Sequence, residues 1–217
     1  MRTEFRTHCL VRIAGSDALA AAAAPVWLQA ELERAPWVVV RRAAVALDGR
    51  IPVGVRGRRR AERFAAWLEP AQVREAVDPL ELAARRAWRD SPRCSQVAAL
   101  AALAPVGSVM ERCGLGSAWG PVGSTGFELA SGVPTATADS DLDLIVRLGA
   151  PPPAALAGAL LVELSRLDVH TDVLLETPLG ALALIEYAQA RAPFLLRTPA
   201  GPRLTPDPWG DAAASRH

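Results

Sequence analysis

Two aspartates separated by one residue are the side chains of this chain best suited to chemistry. Asp141 and Asp143 stand in residues 138–147, Ala-Asp-Ser-Asp-Leu-Asp-Leu-Ile-Val-Arg. In a β-strand, successive side chains project from opposite faces, so both carboxylates would leave one face while the intervening apolar residues enter a core. Carboxylates about 7 Å apart along a strand repel each other unless a cation lies between them. The pattern predicts a strand that binds Mg²⁺ through Asp141 and Asp143, with further ligands from substrate phosphates.

A glycine-rich segment lies just upstream of these aspartates. Residues 120–126 read Gly-Pro-Val-Gly-Ser-Thr-Gly. Gly123 has no Cβ to obstruct its backbone, and Ser124 adds a hydroxyl, so both residues can donate hydrogen bonds to a phosphate oxygen. Each motif alone also fits a structural reading, a turn for Gly-Ser and a solvated strand end for Asp-x-Asp. Their order and spacing favour a phosphate ester or a nucleotide as the substrate.

These two motifs resemble those of a known superfamily. A Gly-Ser loop followed by a strand with Ser-Asp-Leu-Asp-Leu is similar to the nucleotidyltransferases, which bind Mg²⁺-nucleotide on an Asp-x-Asp pair. The fuller text of residues 123–144, Gly-Ser-Thr-Gly-Phe-Glu-Leu-Ala followed by an eight-residue insertion and Asp-Ser-Asp-Leu-Asp-Leu, resembles a narrower family. That family is the phosphoribosyl-dephospho-CoA transferases, the holo-acyl-carrier-protein synthases of malonate decarboxylase. The resemblance covers nearly the whole chain and is strongest from residue 120 to 176.

The resemblance implies a specific reaction and specific partners. The chain would transfer triphosphoribosyl-dephospho-CoA to a serine of the apo acyl-carrier-protein subunit of malonate decarboxylase, with Mg²⁺ as cofactor and pyrophosphate as the leaving group. Two alternatives stay open. One is a nucleotidyltransferase that adenylylates a small molecule or a protein with ATP, and the other is a binding module that keeps the fold without the chemistry.

The superfamily resemblance also implies a third carboxylate on a neighbouring strand. Residues 169–176, Val-His-Thr-Asp-Val-Leu-Leu-Glu, alternate as a strand,. Asp172 and Glu176 would lie on the same face of it, and either would serve as general base or as ligand of a second metal. The resemblance favours Asp172.

Arginines in the N-terminal part are further candidates for phosphate binding. Residues 51–60, Ile-Pro-Val-Gly-Val-Arg-Gly-Arg-Arg-Arg, indicate a strand that runs into an arginine-rich turn. Guanidinium groups bind phosphate oxygens in pairs, and Arg56 and Arg58 are the preferred candidates. A solvated basic turn explains the same residues.

Composition limits the class of protein. With 51% hydrophobic and 22% charged residues, the 217-residue chain is typical of a soluble globular protein,. Residues 1–93 contain 17 Arg against 11 acidic residues, and residues 94–217 contain 7 Arg against 12. A basic N-terminal part and an acidic C-terminal part suit a small polyanionic ligand, and no basic stripe with interleaved aromatics indicates nucleic acid. Three scattered cysteines and the lack of an apolar run of about 18 residues favour a cytoplasmic protein with no membrane span.

The fold expected from these patterns is α+β. We predict an N-terminal basic α+β region over residues 1–93 and, over 94–217, a nucleotidyltransferase-like mixed sheet with helices packed on it. The predicted helices are 18–24, 26–34, 61–69, 71–88, 94–113, 154–167 and 180–190, and the predicted strands include 37–42, 51–56, 142–147, 169–176 and 194–198.

Overall fold

A computed structural model describes residues 5–20, 23–44, 46, 48–59 and 61–210 of the chain. The fold is α+β, as predicted, and it divides into two compact units. Residues 1–78 and 130–133 form the first unit, and residues 79–129 and 134–217 form the second.

The N-terminal unit is built on an antiparallel six-stranded sheet. Its strands are β1 (Leu10–Ile13), β2 (Leu19–Ala20), β3 (Trp37–Val40), β4 (Ile51–Arg56), β5 (Arg63–Leu68) and β6 (Val73–Val77), in the order β2-β5-β4-β3-β1-β6. Helix α1 (Trp27–Arg34) buries Leu28 and Leu32 in the same core as Val53 and Leu68 of the sheet. Because the apolar residues of β4 and β5 face this core, the arginines of these strands, Arg56 and Arg63, are left at exposed positions,.

The C-terminal unit contains a mixed six-stranded sheet. Its strands are β7 (Trp119–Pro121), β8 (Leu142–Arg147), β9 (Thr171–Thr177), β10 (Gly180–Ala183), β11 (Phe194–Thr198) and β12 (Gly201–Thr205), in the spatial order β12-β11-β10-β9-β8-β7. Strands β8 and β9 run parallel, and the other neighbouring pairs are antiparallel.

Six helices accompany this sheet. They are α2 (Pro79–Ala84), α3 (Ala98–Ala101), α4 (Leu103–Arg112), α5 (Gly123–Ser131), α6 (Ala154–Leu164) and α7 (Leu184–Ala188). Helix α6 connects β8 to β9, as a parallel pair requires, and its Leu160 and Leu164 enter one core with Leu142 and Leu144 of β8. The apolar side of β8 is thereby fixed against the helices, which leaves Asp143 on the other side.

Several predicted helices are strands in the structure. Residues 63–68 and 73–77 form β5 and β6 because β5 pairs with β4 over six residues and β6 pairs with β1. The expected helix at 18–24 is a 3₁₀ turn at Ser16–Ala18 followed by β2, with residues 21 and 22 outside the described part. The segment 180–190 begins as β10 and only then becomes α7.

The boundary between the two compact units lies earlier in the sequence than residue 93, where we predicted it. The division falls between Asp78 and Pro79, because residues 79–93 pack with the C-terminal unit. Trp88 is buried in that unit's core, where its ring lies 5.9 Å from that of Trp119. A Cβ on Gly120 would lie 2.2 Å from the backbone of Pro79, so the close approach of α2 to β7 requires glycine at this position.

In the described part of the chain, no helix is both long enough and apolar enough to cross a membrane.

Candidate functional site

The paired strands β8 and β9 bring together two of the predicted carboxylates. Asp143 and Asp172 are register partners across the parallel pair, so their side chains leave the sheet at the same level,. Asp141 directly precedes β8, and its neighbour Leu142 donates its backbone N–H to the carbonyl of His170 (2.8 Å). Hydrogen bonding therefore fixes the strand end that carries Asp141 next to the strand that carries Asp172.

The first turn of α5 packs directly against Asp143. The backbone N–H of Val122 donates to the carbonyl oxygen of Asp143 (2.9 Å), and the next residue, Gly123, has φ +61°. A Cβ on Gly123 would lie 2.1 Å from Oδ2 of Asp143. Only glycine satisfies both constraints, since it tolerates a positive φ and leaves room for the carboxylate. The Gly-Ser segment, which we expected to be a loop, is the start of a nine-residue helix.

Ser124 is held beside the segment that leads to the aspartates. Its hydroxyl lies 3.5 Å from that of Ser140, which in turn accepts a hydrogen bond from the backbone N–H of Thr137 (2.9 Å). The first backbone N–H groups of a helix have no partner within the helix and favour anions. A phosphate at the start of α5 would therefore meet N–H groups, the Ser124 hydroxyl and the neighbouring carboxylates.

The two candidates for the third carboxylate have opposite surroundings. The side chain of Asp172 is 67% exposed, and its Oδ1 lies 3.4 Å from Nε2 of His170. The side chain of Glu176 is 8% exposed and accepts a hydrogen bond from Nε of Arg147 (3.1 Å). Asp172 is thus accessible to a substrate, whereas Glu176 is committed to a buried ion pair.

The donor set of this site fits a hard divalent cation. Asp141 is exposed, Asp143 is half-buried, and the Oδ2 of Asp143 lies over the backbone of Gly123 in space that a side chain would fill. Within the described ranges, no group of three or more His, Cys, Asp or Glu side chains is arranged to bind a metal by itself. Mg²⁺ needs only one or two protein carboxylates, since waters and substrate phosphates complete its shell, and Asp141 and Asp143 are the residues here that would hold it.

Comparison with known proteins identifies the family. A model described as the phosphoribosyl-dephospho-CoA transferase MdcG N-terminal domain matches residues 6–79, and one described as the C-terminal domain of the same transferase matches residues 81–208. The chain belongs to the phosphoribosyl-dephospho-CoA transferase family. The resemblance found in the sequence is confirmed, and the family's two domain models meet where the two compact units divide.

Individual relatives agree with this family. A phosphoribosyl-dephospho-CoA transferase of Azotobacter vinelandii is 42% identical over 194 residues, which is 89% of each chain. One of Klebsiella pneumoniae is 38% identical over 210 residues, 96% of this chain and 98% of the relative. All are named as transferases, so the chain is a transferase. No solved structure is significantly similar to this chain, and the likeness to nucleotidyltransferase folds stays a prediction.

The two arginines predicted to bind phosphate, Arg56 and Arg58, have different surroundings in the N-terminal unit. Arg56 ends β4, is exposed and lies directly opposite the exposed Arg63 of β5. Arg58 donates from Nε to Oε1 of Glu31 (3.0 Å), whose side chain is 8% exposed. Like charges opposite each other in a sheet are unfavourable unless an anion lies near them, so Arg56 and Arg63 suit phosphate binding better than Arg58 does.

Glu128, a buried acid on the helix that begins at Gly123, was not predicted from the sequence. Glu128 of α5 is 6% exposed and contacts the guanidinium of Arg93 (2.6 Å). Burial raises the pKa of the adjacent Cys94 thiol, and the Glu128 carboxylate raises that pKa further. No pattern in the sequence indicates that residues 93 and 128 are in contact, since a glutamate in a helix is as compatible with a solvent-exposed position as with a buried ion pair.

Proposed function

We propose that this chain transfers the phosphoribosyl-dephospho-CoA group of triphosphoribosyl-dephospho-CoA to a serine of the apo acyl-carrier-protein subunit of malonate decarboxylase. The serine Oγ forms a bond to the α-phosphorus of the precursor, and the bond from that phosphorus to the bridging oxygen breaks. Pyrophosphate leaves, and the hydroxyl proton passes to a carboxylate of the enzyme. The observation that carries this proposal is the register of Asp143 with Asp172 beside the first turn of α5.

We assign the phosphates of the precursor to the start of α5. The backbone N–H groups of Gly123 and Ser124, with the Ser124 hydroxyl, bind phosphate oxygens and orient the α-phosphorus. Asp141 and Asp143 are the residues that would hold Mg²⁺, and the bound ion would supply positive charge against the negative charge that develops on the phosphate oxygens and the leaving group. Support for this comes from the cradle that Gly123 leaves for the Asp143 carboxylate.

Asp172 is our candidate for the base that accepts the serine proton. Its carboxylate is exposed and lies at the level of Asp143, so a hydroxyl poised at the α-phosphorus is within its reach,. The buried ion pair of Glu176 with Arg147 argues against Glu176 in this role. Arg56 and Arg63 are candidate phosphate-binding residues of the N-terminal unit, because both are exposed and stand opposite each other in its sheet, while Arg58 pairs with Glu31 of α1.

Intact-mass spectrometry of the acceptor tests this proposal directly. The apo carrier subunit is incubated with the enzyme, Mg²⁺ and the precursor, and its mass is expected to rise by the mass of the precursor less that of the released pyrophosphate. Asp143→Asn is expected to slow the transfer by at least about 100-fold, because it removes a charged metal ligand, while its melting temperature stays within a few degrees. Glu163→Gln removes a partly exposed carboxylate of α6 that pairs with Arg112, and this control variant is expected to transfer normally.

Two outcomes would contradict the proposal in different ways. A mass gain from ATP but not from the precursor would keep the metal and phosphate site and assign the chain to adenylyl transfer. Equal transfer by the wild-type enzyme and the Asp143→Asn variant would remove Asp143 from the chemistry.

A further inference from the structure

One buried carboxylate ties together three separate parts of the C-terminal unit. Oε2 of Glu128 accepts hydrogen bonds from the backbone N–H groups of Thr135 (2.8 Å) and Ala136 (2.9 Å). The same oxygen lies 2.6 Å from Nη1 of Arg93, and Nη2 of Arg93 donates to the carbonyl of Ala136 (2.8 Å). Together Glu128 and Arg93 hold both the N–H and the C=O of Ala136.

The anchored residues belong to the segment that ends at the metal-binding aspartates. Five residues after Ala136 the chain reaches Asp141. Between them, the backbone N–H of Ser140 donates to the carbonyl of Thr137 (3.1 Å), and Thr137 donates its own N–H to the Ser140 hydroxyl (2.9 Å). The segment from 135 to 140 is therefore a short, internally bonded connection with little freedom of its own.

The same helix contacts both ends of this connection. Ser124 and Glu128 are four residues apart in α5 and so lie on one face of the helix. Ser124 meets Ser140 at one end of the connection, and Glu128 holds Thr135 and Ala136 at the other. Helix α5 thus fixes the approach of the chain to Asp141 while its first residue, Gly123, packs against Asp143.

We propose that Glu128 is a positioning residue for the metal site: through residues 135–140 it sets the place of Asp141 relative to Asp143. This inference rests on the proposed function, because it presumes that Asp141 and Asp143 bind Mg²⁺. A carboxylate is needed because a single oxygen serves two backbone N–H groups and a guanidinium at once, and charge strengthens each of these bonds. Groups that orient metal ligands typically change metal affinity 10- to 100-fold when they are mutated.

Binding of Mn²⁺, measured by electron paramagnetic resonance on the full chain, tests the inference without substrate turnover. Glu128→Gln keeps the size of the side chain and removes its charge. We expect it to weaken Mn²⁺ binding at least about tenfold and to speed amide hydrogen exchange at Thr135 and Ala136. The Asp143→Asn variant gives the level of Mn²⁺ binding that remains without the metal site. Glu163→Gln is the matched control, because it removes a carboxylate of α6 that is paired with Arg112 and Arg166.

A second variant covers the case in which Glu128→Gln does not fold. Ser140→Ala leaves the buried carboxylate in place and removes the hydroxyl that accepts from Thr137. We expect it to weaken Mn²⁺ binding several-fold with an unchanged melting temperature. In transfer assays, a higher Mg²⁺ concentration should restore the rate of the Glu128→Gln and Ser140→Ala variants, because these variants have a metal site that is filled less often. The same increase should not restore the rate of Asp143→Asn, which lacks a metal ligand.

The possible failures are distinguishable. If the folded Glu128→Gln and Ser140→Ala variants bind Mn²⁺ as tightly as the wild-type chain, Glu128 has no positioning role and the metal site stands. If the wild-type chain binds Mn²⁺ no better than Asp143→Asn, the metal site itself is wrong, and the role inferred for Glu128 falls with it.

Discussion

A single missing methyl group determines whether the Asp143 carboxylate has a place to lie. Gly123 combines a positive φ with the 2.1 Å approach of Asp143 Oδ2 to the position of a Cβ. These are separate constraints, since the first concerns the backbone of α5 and the second concerns the metal ligand. They are separable by experiment because Gly114 has a similar φ, +70°, and open space around it.

We predict that Gly123→Ala and Gly114→Ala lose similar stability but differ in activity. Each places an alanine at positive φ, at a cost of about 1–2 kcal/mol in the free energy of unfolding, measurable by urea denaturation. Only Gly123→Ala also displaces the Asp143 carboxylate, so only this variant should lose most of its transfer rate and its Mn²⁺ binding. Equal activity of the two variants would show that the packing on Asp143 has no functional consequence.

At the scale of elements, the strands that carry the site were predictable, and so were β3 and β4 of the N-terminal unit, but β5 and β6 were not. The alternation in 142–147 and 169–176 was right, and the parallel pairing of β8 with β9 puts Asp143 next to Asp172. Residues 63–68 were predicted as helix because Phe64, Trp67 and Leu68 have helical spacing. They form a strand because β4 offers a six-residue partner, a long-range fact that local spacing does not contain,.

The sequence predicted only those candidate site residues that belong to a local motif or to the family resemblance. The alternation of residues gave Asp141 and Asp143, and the resemblance gave Asp172. The packing of Gly123 on Asp143 and the buried pair of Glu128 with Arg93 depend on contacts between distant segments. Such contacts follow from the fold rather than from any spacing in the chain.

Strand β9 offers a test that separates a chemical role from a structural one. We predict that Asp172→Asn lowers kcat by about 100-fold or more, the usual contribution of a general base, without changing the melting temperature. Glu176→Gln breaks a buried ion pair and should lower the free energy of unfolding by about 3–5 kcal/mol, with kcat per folded molecule retained. The reverse pattern in kinetics and thermal melts would exchange the roles of these two acids.

At the scale of the whole molecule, both compact units belong to one transferase, since the two family models cover residues 6–79 and 81–208. Taken by itself, the N-terminal unit has exposed arginines at positions 56 and 63, and the C-terminal unit carries the candidate carboxylates. With 17 of the 24 basic residues before residue 94, and none of them lysine, the chain depends on guanidinium groups for every side-chain contact to phosphate that needs a permanent charge,.

We predict that the opposed arginines Arg56 and Arg63 contribute to binding of the precursor. Each charge-assisted hydrogen bond is worth about 1.5–3 kcal/mol, so Arg56→Gln or Arg63→Gln should raise the KM for the precursor by about 10-fold or more with little change in kcat. Arg74→Gln removes an equal charge from the exposed edge strand β6 of the same sheet and is the matched control. An equal rise in KM for all three variants would indicate a general effect of charge rather than a site.

The exposure of Asp172 has a consequence for fidelity. In the proposed mechanism Asp172 is the base, and because it is 67% open to solvent it meets water as readily as it meets a serine. Water attacking the same phosphorus would destroy the precursor instead of transferring it. We expect the acceptor to provide the protection, because its docking would exclude water from Asp172. We therefore expect slow hydrolysis of the precursor, measured as pyrophosphate release in the absence of a carrier subunit. A carrier whose serine is replaced by alanine should suppress that release, because it would cover Asp172 without accepting the group.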